Sequence, residues 1–94
     1  MSHLVTVSGE ATIFQAADLH RTLLDALAQE EALRVDLSQI TEFDCSAAQI
    51  LIWLTREGAR LGRPVSLLSP GEPVRELLAL IGLDAELTFE ETAQ

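Results

Sequence analysis

Basic side chains are scarce in this sequence: six face fifteen acidic ones, for a formal net charge of −9. A surface this acidic repels phosphate backbones and anionic headgroups, which argues against nucleic acid and lipid surfaces as partners. A protein with a basic docking face fits better. Cysteine occurs once, at Cys45, so an intrachain disulfide and a cysteine-rich metal centre are both excluded. That agrees with a reducing, cytoplasmic location. Aromatics make up only 4% of the chain, so the core must be aliphatic. The longest strongly apolar run, residues 50–54, is far below the roughly 20 residues a bilayer span needs. The opening "MSHLVTVSGE" has neither a basic region nor a long apolar run, unlike a signal peptide. No membrane insertion is expected.

Catalytic and cofactor motifs are missing too. No G-x-x-x-x-G-K-[ST] loop or G-x-G-x-x-G turn is present, so no phosphate cradle is written in the chain. His3, at a frayed N-terminus, and His20, on a helix surface, lack metal-ligand spacing and read as solvated side chains. The expectation is no metal, no cofactor and no enzyme, because no nucleophile is paired with a base.

What is present is ample apolar material, 48% of 94 residues, enough for one small domain spanning residues 1–94. "LVTVSGEATIF" reads as two short strands around a Ser8-Gly9 turn. In "QAADLHRTLLDALAQEEA", Ala16, Leu19, Leu23 and Leu27 recur at helical spacing, opposite Asp18, Arg21, Thr22 and Asp25. Glu30-Glu31 reads as a solvated loop. "ALRVDLSQI" alternates Leu33, Val35 and Leu37 against Arg34, Asp36 and Ser38, as a half-buried strand does. A helix from Ser46 to about Leu61 follows, with Gly62 just past its end and Gly58 loosening its last turn. "PVSLLS" reads as a strand. "PGEPVRELLALIGL" reads as a helix with Pro73 in its first turn and Val74, Leu77, Leu78 and Ile81 buried. A last edge strand is expected at residues 87–89, before an acidic, frayed end. Strands alternating with helices imply an α/β fold with a largely parallel sheet.

The segment "EFDCSAAQILIWL" joins an acid, a thiol and a hydroxyl to the mouth of an apolar helix. Ser46 with Gln49 three residues later is a capping box, and Asp44 is an alternative cap. The same geometry suits a switch. A hydroxyl at a helix start is accessible, and a phosphate there would add about −1.5 to −2 charges beside Asp44 and Glu42. Cys45, Leu51 and Trp53 read as structural, because the surroundings are apolar.

From "LRVDLSQITEFDCSAAQ" through "LLALIGL", and upstream in "VSGEATIFQAADLHRTL", the chain resembles the STAS domain family of anti-sigma factor antagonists and sulphate-transporter tails. The hallmark is a V-x-D-L-S-like strand, a short loop, and Asp-Ser-Ser/Thr-Gly-Leu opening a helix. The resemblance implies a small mixed, largely parallel sheet with helices mainly on one face. It places Asp44 on the family's aspartate and Ser46 on the serine that a partner kinase phosphorylates in regulatory members. Cys45 replaces the other hydroxyl residue, Ala47 replaces a glycine and adds a methyl at that contact, and Ala48 and Gln49 replace Leu and Gly. The implied function is a non-catalytic regulatory module binding a serine-kinase-like anti-sigma factor through Asp44, Cys45, Ser46, Ala47 and Gln49, switched at Ser46. The contact surface would also include the edge around residues 8–15. Two variants of this expectation are a scaffold binding a bacterial chemotaxis signalling protein without phosphorylation, and an accessory subunit on a lipid or solute transporter's ATPase.

Overall fold

The computed structural model describes residues 2–29 and 32–90. The expected loop at Glu30-Glu31 and the acidic end beyond residue 90 lie outside the described residues. The elements are β1 (Ser2–Ala11), α1 (Ala16–Leu27), β2 (Ala32–Phe43), α2 (Cys45–Leu61), β3 (Val65–Leu68), α3 (Glu72–Leu80) and β4 (Phe89–Glu90). The strands stand in the order β1-β2-β3-β4, and every neighbouring pair is parallel. Each crossover steps one place in the same direction. Because parallel crossovers are right-handed, that order lays all three helices on one face. Leu33, Val35 and Leu37 of β2 are buried beneath them, while Arg34 and Ser38 stay on the open face. The sheet is therefore covered on one side, as the alternation predicts.

Two expectations fail at β1. The Ser8-Gly9 turn does not form, and His3 is not a loose terminal residue but pairs with Leu33 within the strand. β1 runs unbroken, and its irregularity appears as two register shifts against β2, between Thr6 and Ser8 and between Gly9 and Glu10. Gly9 supplies a φ of 76° next to the second shift, a backbone that side-chain-bearing residues rarely adopt. At each shift β2 carries one residue more than β1. At the first, the Ser38 amide turns to the Asp36 carboxylate (2.9 Å). Burial along β2 consequently changes from every second residue to Leu37, Ile40 and Phe43. These shifts carry the strand, still core-facing at Phe43, to the start of α2.

Apart from Phe43, the buried core is aliphatic. Leu23 and Leu27 of α1, Leu51 and Leu54 of α2, and Val74 and Leu78 of α3 close over Leu33, Val35, Leu37 and Leu67. Gly62 ends α2 with φ 71°, as expected of a left-handed cap. Gly58 does not loosen the helix. It is buried, and a Cβ there would meet Val65 Cγ2 at 2.5 Å and the Arg63 carbonyl at 2.8 Å. The glycine lets the helix approach β3.

Candidate functional site at the start of α2

Asp44 is the residue that assembles this region. It is the N-cap of α2 in an extended conformation. Its Oδ1 accepts the amides of Ser46 (3.0 Å) and Ala47 (3.3 Å) and the Ser46 hydroxyl (2.6 Å). Its Oδ2 accepts the Ile13 amide at 2.8 Å, from the loop between β1 and α1. Its own amide donates to the Ala11 carbonyl (3.2 Å). Partial burial works to raise the carboxyl pKa. The bonds from the Ser46 hydroxyl and from the Ile13, Ala47 and Ser46 amides outweigh it and hold the pKa below its ordinary value.

The capping box at Ser46 and Gln49 does not form. Ser46 is the second residue of the helix, and Asp44 takes the cap because the strand delivers it one residue before the first helical turn. Cys45 is exposed, so it is not the buried structural thiol expected from its apolar neighbours. The apolar residues that follow face inward, while Cys45 sits at the edge. Ala47 and Ala48 are buried, so the Ala47 methyl expected at a partner contact packs in the core instead. Gln49 is exposed and Ser46 is half-buried.

Beside Ser46 a groove of about 470 Å³ opens between α1 and α2. Ala16, Ala17 and His20 form one wall, and Gln49, Ile50 and Trp53 the other. Small side chains on α1 leave the space, and the Trp53 ring closes its end edge-to-face on His20, with centroids 4.6 Å apart at 85°. Trp53 thus sits at the core edge, as expected, but also faces the groove; His20 is exposed yet not merely solvated. Just before α1, Ile13 (67% exposed) and Phe14 (88%) stand out from the loop that Asp44 tethers. Sequence reasoning included residues 8–15 in the surface but missed these two as apolar anchors. They extend a strand-like apolar pattern, so nothing local marks them as exposed. Among the described residues, no group of three or more His, Cys, Asp or Glu is placed to hold a metal, and no helix is long and apolar enough to cross a membrane.

Comparison with curated proteins gives no match. Among solved structures, a Thermotoga maritima protein classed by inference as an anti-sigma factor antagonist superposes with a TM-score of 0.80 at 19% identity, covering 98% of this chain and 80% of that one. The anti-sigma factor antagonist SpoIIAA in its unphosphorylated form gives 0.74 at 16% identity, with 99% and 81% covered. The phosphorylated form of the Bacillus cell fate determinant SpoIIAA gives 0.70 at 15% identity, with 99% and 84% covered. At these identities the likeness is one of fold. The model of the family described as "Mlab, STAS domain" matches residues 2–89, and with strand, cap and helix arranged as above, the chain belongs to that STAS family.

Proposed function

We propose that this STAS domain is a non-catalytic regulatory module that binds a protein partner through the start of α2 and the neighbouring β1–α1 loop. The observation that carries the reading is the shared Asp44 carboxylate, which joins the Ser46 hydroxyl to a loop bearing exposed Ile13 and Phe14. Two bulky apolar side chains beside an acidic helix mouth suit a partner with an apolar pocket and a basic rim. In this reading Asp44, Cys45, Ser46 and Gln49 contribute the polar part of the contact. The partner is a kinase-like anti-sigma factor or a signalling protein of that kind, residues 1–94 act as one domain, and the setting is the bacterial cytoplasm. Ser46 is the switch. Its oxygen displaces a nucleoside diphosphate from the γ-phosphorus of a nucleoside triphosphate, and its proton passes to a base of the kinase. The phosphate then stands beside Asp44 and repels what had docked there.

A transporter-associated reading uses the same surface without the phosphate. One experiment separates them. Affinity capture from native cytoplasm uses wild type, Phe14→Ser, Asp44→Arg and Ser46→Asp, each checked for folding by circular dichroism. Loss of one shared partner from all three variants supports the surface, and retention by all three refutes it. A kinase-fold partner with phosphate on Ser46 by mass spectrometry supports the switch. A transporter ATPase with unmodified Ser46 supports the second reading.

A further inference from the structure

A second groove, of about 360 Å³, lies against the outer side of α3, away from the space between α1 and α2. Its α3 wall is Pro73, Glu76, Leu77 and Leu80. Those positions are spaced i, i+3, i+4 and i+7, which is one helical stripe. The stripe is distinct from the core-facing pair Val74 and Leu78 of the same helix. Along this stripe Leu77 packs against the edge of the core, while Glu76 and Leu80 stay exposed. The opposite wall is Glu42 and Phe43, at the end of β2. Leu80 is 82% exposed, so its side chain is open to a partner at the groove. Both lining carboxylates are exposed, and no arginine lines the groove. Neither Glu42 nor Glu76 belongs to an ion pair among the described residues. The adjacent Arg75 donates its Nε to the Pro70 carbonyl (3.2 Å).

An apolar floor bordered by two uncompensated carboxylates matches one kind of side chain: a long aliphatic stem ending in a delocalised cation. We infer that this groove receives an arginine of a protein partner, its stem along Leu77 and Leu80 and its guanidinium between Glu42 and Glu76. Arginine fits better than lysine because its head is planar, weakly hydrated and built to bridge carboxylates. A second copy of this chain fits poorly, since two surfaces of net charge −9 repel. The inference does not depend on Ser46 or on the Asp44 surface. It adds a second contact at the same end of β2.

The test is an NMR titration of the free protein with n-butylguanidinium, with n-butylammonium and unsubstituted guanidinium as comparison probes. Saturable amide shifts are expected at Glu42, Phe43, Glu76, Leu77 and Leu80, strongest for n-butylguanidinium. The Glu42→Gln/Glu76→Gln double variant is expected to weaken binding by about fivefold or more, as loss of charge-assisted bonds does. Leu80→Ser should weaken it by about threefold, from lost contact with the stem. The substituted residues Glu42, Glu76 and Leu80 are all exposed, so the variants should fold, as circular dichroism checks. Shifts spread evenly over every acidic patch, or unchanged affinity in the double Gln variant, overturn the inference. So does a dimer in sedimentation that Leu80→Ser dissolves, since the occupant is then a second copy.

Discussion

The Ile13 amide and the Ser46 hydroxyl, 33 positions apart in the chain, are held by the two oxygens of one carboxylate, Asp44 Oδ2 and Oδ1. The loop that presents Ile13 and Phe14 is thus bonded to the residue that shapes the start of α2. In Asp44→Asn the side chain still caps the helix, but one arm becomes a donor facing donors. Loss of one charge-assisted bond at a partly exposed site is expected to cost about 1 kcal/mol by urea denaturation. The Ile13 amide should exchange with solvent several-fold faster by NMR. Unchanged exchange would show that the tether does not order the loop.

The depressed pKa of Asp44 sets a pH dependence of stability. The unfolded carboxyl titrates near its ordinary value of 3.8, and the folded one below it. A group with a lowered folded pKa stabilises fully above the unfolded value and loses that contribution as pH falls through the folded one. Urea midpoints of wild type and Asp44→Asn should therefore differ at pH 6 and converge on acidification below pH 3.8. Parallel curves would contradict the shift.

Ser46 is not the cap, which changes what its substitutions do. Ser46→Ala removes only the hydroxyl bond to Asp44, so a loss of about 0.5–1 kcal/mol is expected, less than many cap removals. Ser46→Asp puts a second carboxylate where the hydroxyl now lies 2.6 Å from Asp44 Oδ1. Repulsion there offsets the favourable helix dipole, and the Asp variant should be no more stable than the Ala variant. Thermal melts at pH 7 in low and high salt decide this, because screening should restore the Asp variant selectively.

Gly58→Ala tests the approach of α2 to β3. Helix propensity alone favours alanine by about 1 kcal/mol. The Cβ would nonetheless meet a backbone carbonyl at 2.8 Å and a valine methyl at 2.5 Å, so net destabilisation of about 1–3 kcal/mol is expected. A stabilised variant in denaturant would show that the helix shifts freely.

Cys45 is exposed at the first position of α2, so its thiol should react with a disulfide reagent at a rate close to that of the unfolded chain. Protection by tenfold or more would place it back among buried thiols.

Local patterning was enough for the helices, for the alternating half of β2, for the Gly62 cap and for a sheet covered on one side. Each depends on the period of neighbouring side chains, which the chain carries within a few turns or strand residues. The capping residues before the apolar run located the mouth of α2, and the resemblance in "DLSQITEFDCSAAQ" marked it as the candidate site. Tertiary structure decided the rest. Ser8-Gly9 has the composition of a turn, yet pairing with β2 absorbs Gly9 as an irregularity in a continuous strand. Ser46 and Asp44 are both good caps by type, and the strand's two register shifts decide which one meets the helix. Gly58 looks costly until Val65 is set against it. Ile13 and Phe14 continue an apolar strand pattern, which reports the character of neighbouring side chains and not what covers them. Cover is supplied by elements distant in sequence, so only the assembled fold shows where it is absent.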